Sequence, residues 1–587
     1  MNDPNISNEN VQTGTVPNAV PAQEPTFVPR YDTVTGRPLD PNEPPAEPFV
    51  PRFDTVTGQP LNPPVQTWAP PVKRRPSLCS ERKDGVLALL LAVLGVLLMD
   101  SLLTTGLGIG VSICLTLLLV VTVCYLWKRR RAVTAYAAFC GIAVLALSLS
   151  LVFSDDDYLK FYALLGCMAL STLLLLELMK QRKRQPGTIY SVADLSSMMF
   201  VRSFGRIDSG TYALFHAKKE DGSVRKRRLG GVVAGIACAI PVLLVVVPLL
   251  VSSDAAFEGL VSSFHLEDQG LHFCALLLGL FLALVLFSQL FHLPYADEAQ
   301  VQKKPMQGWL DPIPVVSFLV VLSIVYVLYL VSQGAYFLDA FKGLLPEGFS
   351  FAEYARRGFF EVWWLCILNL LLVFFSLFLS KKKSGKAPFA VRLLALFICL
   401  FSLFLIATSV SKLVLYIQNY GMTRLRILTN AAMLGLGVVF LAVMLRLFVP
   451  KIPYMKITVV TATVILLALS FANVDRIVAS YNVRAYQNGW LDSIDVETVS
   501  ELSDAAVPYL LELLDDPNPE VVREARSSLQ ERSLWLGVVE HGEDRADVHL
   551  SERGYDLRGF NIVDAQARAL LHENYARIFP TGKFTSR

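Results

Sequence analysis

The sequence predicts an all-α integral membrane protein of about eleven transmembrane helices, with a disordered N-terminal tail and a small, mainly helical extracytoplasmic C-terminal domain. Three observations carry this. The 587 residues are 53% hydrophobic and only 18% charged, with a mean hydropathy of +0.47, whereas soluble chains carry about 25% charge. Apolar stretches of about 20 residues, the length that crosses a bilayer, recur along the chain. Lysine and arginine collect in every second loop, as the positive-inside rule requires. The composition excludes disorder as the main state, a collagen-like repeat and a disulfide scaffold.

Residues 1–82 form the tail, which holds 17 of the 32 prolines. It is too poor in apolar surface to offset its chain entropy. No signal peptide stands at the start, so the first hydrophobic helix is expected to act as its own insertion signal. Residues 27–39, from Phe27-Val28-Pro29-Arg30 to Pro38-Leu39, recur as 49–61 with a period of 22 residues. The doubled motif is a candidate site for a cytoplasmic protein partner, since two copies raise effective concentration. A tandem duplication in a tolerant linker is the competing account.

Eleven stretches qualify as spans: about 86–105, 108–127, 133–153, 159–179, 230–251, 271–291, 313–332, 359–379, 390–410, 427–448 and 457–472. They divide into a four-helix segment (83–184), a cytoplasmic loop (185–228) and a seven-helix core (229–472), followed by the outer domain (473–587). The basic clusters are 73–75 with 82–83, 128–131, 180–184 with 225–228, 303–304, 381–386, and Lys451 with Lys456. Six basic sides in phase put the N-terminus in the cytoplasm and, after eleven spans, the C-terminus outside. The ninth span carries Arg392 and Lys412 near its ends, where both side chains can snorkel. In the 185–228 loop, Val192, Leu195, Met199 and Phe200 suggest a short helix on the membrane face, with a plain polar loop as the alternative. The nine cysteines form no CxxC pair and read as small buried hydrophobes.

Ionisable groups within spans are few. Asp100, Glu177 and Arg446 sit near span ends, and Asn369 lies mid-span, where interhelical bonding is its usual role. Pro241 and Pro248 read as a kink in the fifth span. Ser350-Phe351-Ala352-Glu353 is a capping box that starts a helix running into the eighth span. Glu353, Arg357 and Glu361 are spaced four apart on one helix face. They staple the helix start or, with Arg424, Arg426 and Asp475 at the same outer level, line a cavity.

The outer domain carries 20 acidic and 12 basic residues, a net −8 against +11 for the rest. Residues 507–529 read as two amphipathic helices around a proline turn, similar to a single HEAT repeat. His541, Glu543, Asp544, Asp547 and His549 crowd one loop, but without a zinc-ligand spacing they read as a solvated acidic loop. No P-loop, dinucleotide-binding motif or nucleophile constellation is present in the sequence. No cofactor and no nucleic-acid partner are expected.

Four motifs resemble one family. They are Glu353-Tyr354-Ala355-Arg356-Arg357-Gly358-Phe359-Phe360-Glu361, Tyr420-Gly421-Met422-Thr423-Arg424-Leu425-Arg426, Asn473-Val474-Asp475-Arg476-Ile477 with Tyr481-Asn482, and Arg558-Gly559-Phe560-Asn561. The chain is similar over about 230–587 to bacterial, Firmicutes-type multi-pass membrane proteins classed as a domain of unknown function. That resemblance implies a bacterial plasma membrane and no established activity. Some relatives carry a zinc-ribbon-like N-terminal segment, from which this tail departs by having no cysteine pair. The motifs single out Glu353, Arg357, Glu361, Tyr420, Arg424, Arg426, Asp475, Tyr481 and Asn482 as a candidate outer-face cluster. The leading functional expectation is an envelope sensor or scaffold with one partner for the 27–61 repeats and another for the C-terminal domain, anchored in the lipid bilayer. A transporter of an unknown solute is the first alternative and a membrane-embedded enzyme the second.

Overall fold

A computed structural model describes residues 82–127, 133–180, 190–204, 207, 235, 239, 242–243, 245–254, 269–291, 308–341, 359–381, 387–541, 548–551, 557–581 and 583. The chain divides into Met1–Pro76 and Ser77–Arg587, and every described residue belongs to the second unit. The tail repeats 27–39 and 49–61, most of the 185–228 loop and half of the fifth span lie outside the described residues. So do Glu353, Arg357 and the capping box before them.

Among the described residues ten helices are long and apolar enough to cross a membrane. The first four are α1 (Arg82–Thr104), α2 (Ile109–Trp127), α3 (Ala135–Phe153) and α4 (Asp157–Leu178). A short α5 (Tyr190–Ser196) follows, continued by a π-turn over Ser197–Arg202 whose Met198 is fully buried. The remaining spans are α6 (Gln269–Phe291), α7 (Pro312–Phe341), α8 (Phe359–Leu379), α9 (Phe389–Tyr420), α10 (Arg424–Phe448) and α11 (Tyr454–Ala472). The protein is an all-α membrane protein. Arg392 and Lys412 ride on one unbroken 32-residue α9, so the ninth span is a single helix.

The helix ends sort onto two faces. One face carries Lys456 paired with Glu177 at 3.2 Å and Lys381 paired with Asp311 at 2.7 Å. There too Arg446 Nη1 donates to the Ile452 carbonyl at 2.7 Å. The other face carries the α1–α2, α3–α4 and α9–α10 loops, on which the C-terminal domain rests. α4 ends on the first face, whereas α6 begins on the second, where His272 meets Asp100 at 2.5 Å.

Two apolar cores fill the bundle. The first joins α1–α4 with Ala283, Phe287, Leu290 and Phe291 of α6; the second joins α7–α11. α1 and α6 meet backbone to backbone: a Cβ on Gly279 would lie 2.4 Å from Val96 Cα, and one on Gly95 would lie 2.5 Å from the Gly279 carbonyl oxygen. Small residues permit such approach in lipid, where dispersion rather than water exclusion holds helices together. In the second core the fully buried Asn369 accepts from the Tyr326 hydroxyl at 2.5 Å and donates to Ser402 Oγ at 3.0 Å. It ties α7, α8 and α9 together, the interhelical role expected of it.

Asn473 turns the chain from α11 into the C-terminal domain. It sits at φ +50°, a left-handed conformation asparagine tolerates, and its side chain caps α12 (Val474–Gln487). Next come α13 (Val496–Ser500), α14 (Val507–Glu512) and α15 (Pro519–Trp535), the last capped by Asn518 with Pro519 at its first position. β1 (Val539–His541) and β2 (Val548–Leu550) form an antiparallel ribbon pairing Glu540 with His549 and His541 with Val548. This register puts His541 and His549 on opposite faces of the pleat; Glu543, Asp544 and Asp547 lie outside the described residues. α16 (Ile562–Glu573) and α17 (Tyr575–Ile578) complete the domain. Its core includes Leu159 from α4, so domain and bundle share buried apolar surface.

Candidate functional site

The site lies where the C-terminal domain sits on the α3–α4 and α9–α10 loops. Asp156 caps α4, accepting from the amides of Tyr158 at 2.9 Å and Leu159 at 3.2 Å. This is standard N-cap geometry, and it aims the neighbouring Asp155 toward the domain. Asp155 Oδ2 accepts the amide of Asp504 at 3.0 Å, and its Oδ1 meets the Lys160 ammonium at 3.4 Å. Asp504 pairs in turn with Arg532 at 2.8 Å. Arg532 Nη2 donates to the carbonyls of Ser500, at 2.7 Å, and Leu502.

Asp564, on the first turn of α16, joins this set. Asp155, Asp504 and Asp564 each bring a carboxylate oxygen within 4.8 Å of the others. Three carboxylates so close repel one another when all are ionised; here the Lys160 ammonium and the Arg532 guanidinium supply opposing positive charge. Burial pushes the Asp564 carboxyl up to about 8, helped by the Asp155 charge and a hydrogen bond with Asp155, while Lys160 acts the other way. Asp504 is raised by burial and by Asp155, against Arg532 and Arg568. Asp156 is raised chiefly by burial, against its amide bonds and Arg424.

A second lattice lies beside the first. Asp475 is fully buried, and its Oδ2 accepts from the Ser503 amide at 2.9 Å and from Arg424 at 3.4 Å. Arg424 also faces Asp156 at 3.8 Å and stacks over the Tyr158 ring. Asn482 Oδ1 accepts from the Met422 amide at 2.7 Å, and its Nδ2 donates to the Met422 carbonyl at 2.8 Å. Gly421 makes this fit possible: it sits at φ +77°, and a Cβ there would lie 2.8 Å from Asn482 Oδ1. Arg426 holds the Gly421 carbonyl at 2.8 Å and stacks on Tyr416, which stacks on Tyr420.

Of the cluster the sequence singled out, Arg424, Arg426, Tyr420, Asp475 and Asn482 gather around the α9–α10 loop and α12. Tyr481 is half-buried on α12, and Glu361 is exposed at the start of α8. Sequence reasoning did not select Asp155, Lys160, Asp504, Arg532 or Asp564. The triple aspartate 155–157 with Lys160 one turn on is the local sequence signal that marks this loop. A third contact ties the α1–α2 loop: Arg558 pairs with Asp100 at 2.8 Å, and the Ile109 amide donates to the Phe560 carbonyl at 3.1 Å.

Between these elements lies a cavity of about 740 Å³, open to solvent. Its lining includes Asp157, Tyr158, Glu501, Glu531, Arg532 and Trp535. Trp535 is 93% exposed and Tyr158 63% exposed. Both lining arginines are engaged, Arg424 by the buried Asp475 and Arg532 by the half-buried Asp504, which leaves the exposed Asp157, Glu501 and Glu531 to set the potential of the opening.

Fold and site together define a class: a polytopic helical membrane protein with a helical domain docked on one face through buried ion pairs. A family model described as a domain of unknown function (DUF4153) matches residues 139–513, and the chain belongs to that family. The match begins further toward the N-terminus than the motif resemblance over 230–587 and stops within the C-terminal domain, before Arg558-Gly559-Phe560-Asn561. No curated protein and no solved structure matches the chain.

Proposed function

We propose that this is an envelope sensor of the bacterial plasma membrane whose docked domain faces outward and receives a cationic ligand. The cavity between the α3–α4 loop and the C-terminal domain carries the reading. Carboxylates at a rim that also holds a tryptophan and a tyrosine suit a polyamine or a lysine-rich peptide, through charge and cation–π contact. The domain's net charge of −8 agrees with such a ligand. The orientation rests on Lys381, Arg446 and Lys456 lying on the opposite face, as the positive-inside rule asks of the cytoplasmic side. The 27–61 repeats then lie in the cytoplasm, placed to pass the signal to a partner there. Asn369 spends its donor and its acceptor on neighbouring helices, which favours packing over a solute path at that level.

The test is titration of the full-length protein in nanodiscs with spermine and with a lysine-rich peptide, following tryptophan fluorescence. Saturable binding that Asp157→Asn/Glu501→Gln/Glu531→Gln weakens at least about tenfold (~1.4 kcal/mol) is expected. An affinity unchanged in that triple variant overturns the assignment.

A further inference from the structure

The Asp155–Asp564 contact poses a problem of donors. Asp564 Oδ1 is shielded from solvent and meets no hydrogen-bond donor among the described residues. Both oxygens of Asp155 are engaged, by the Asp504 amide and by Lys160. Two ionised carboxylates can only accept, so no hydrogen bond can join them. Their carboxylate oxygens lie within 4.8 Å of each other, so two ionised groups there repel. A proton on Asp564 supplies the missing donor and removes the repulsion.

We propose that Asp564 of the C-terminal domain keeps a proton that it donates to Asp155 of the bundle, and that this hydrogen bond latches the domain onto the bundle. Among the described residues, charged groups from both sides face the pair. From the bundle come Lys160, which also reaches Asp157 at 3.9 Å, and Asp156 with Arg424. From the domain come Asp504, Arg532 and Arg568. Against Asp155, Asp504 and Asp564 stand Lys160, Arg532 and Arg568, so the set is near neutral with all three acids ionised. Neutrality alone therefore does not hold the two acids together; the donor does. Asp155 and Asp504 also line the cavity, so release of the latch opens the wall of the proposed sensing site. That consequence rests on the reading of the cavity given above; the latch itself does not.

The direction follows from linkage. Docked, Asp564 holds its proton up to about pH 8; in the undocked, solvated domain it releases it near the ordinary value of about 3.9. The latch contributes fully below about pH 4, weakens as pH rises and is lost above about 8. Opening should therefore rise about tenfold per pH unit across that window, one proton's worth, and flatten beyond it.

Hydrogen-exchange protection factors of α16, measured on the full-length protein in nanodiscs from pH 5.5 to 9 without added ligand, test this. α9 serves as the internal reference. In the wild type, α16 protection is expected to fall about tenfold per pH unit up to about 8. In Asp564→Asn, whose amide donates at every pH, the fall should lose one proton of slope; Asp155→Asn gives the same reading if the first variant does not insert. A wild-type slope equal to that of α9, or a slope unchanged in the variants, overturns the latch. Because no polyamine is present, failure here leaves the ligand assignment standing, and failure of the titration leaves the latch standing.

Discussion

At the scale of single residues, Asn561 does two tasks with one side chain. Its Nδ2 donates to the carbonyls of Leu151, at 3.3 Å, and Ser154, at 2.6 Å, which terminate α3. Its Oδ1 accepts the Val563 amide at 2.8 Å and caps α16. It is 1% exposed, so water cannot replace those bonds. Asn561→Ala should cost about 1–3 kcal/mol, seen as a lower Tm of the full-length protein in nanodiscs and as faster exchange in α16. Aspartate at this position keeps the cap but loses the donor, so it should recover only part of the loss. The Arg558-Gly559-Phe560-Asn561 motif was legible in the sequence, but its partners were not, because Leu151 lies 410 residues earlier in the chain. The same holds at the site. Arg424, Asp475 and Asn482 lie in compact motifs that could be singled out by eye. Asp155 and Asp504 are 349 residues apart, and no local pattern announces that two acids so separated will meet.

At the scale of elements, apolar length and spacing marked the helices well, since a span must satisfy its own backbone in lipid. Which helices touch is another matter. α1 lies against α6 across Gly95 and Gly279 because neither glycine has a side chain to hold the backbones apart. Gly279→Val should force the pair apart at a cost of about 1–3 kcal/mol, the usual range for overpacking. Thermal unfolding in nanodiscs measures it, and a Tm equal to wild type would show that the two helices re-pack freely. A small-residue pair four apart, such as Gly231 and Gly235, can be read along one stretch of sequence, whereas the close α1–α6 contact uses two glycines on different helices. A pairing across helices is invisible to a search along one of them.

At the scale of the whole molecule, the sorted charge matters most. The docked domain is acidic, and Lys381, Arg446 and Lys456 lie on the far face. The orientation proposed above predicts that a reporter active only outside the cytoplasm, fused after Arg587, is active in bacterial cells, and that one active only inside is silent. The reverse pattern would turn the cavity toward the cytoplasm and remove the argument for an envelope ligand. The sequence by itself determined that the chain is a helical membrane protein, which stretches are long and apolar enough to cross, and that its basic residues collect in every second loop. Those are properties of composition and period, set by the cost of placing backbone and charge in hydrocarbon. Only the tertiary structure decided that the C-terminal domain is clamped to the bundle, that Asp155, Asp504 and Asp564 converge, and that a cavity opens beside them. Each of these depends on residues brought together from distant parts of the chain, where the physics of contact is decided by packing rather than by neighbours in sequence.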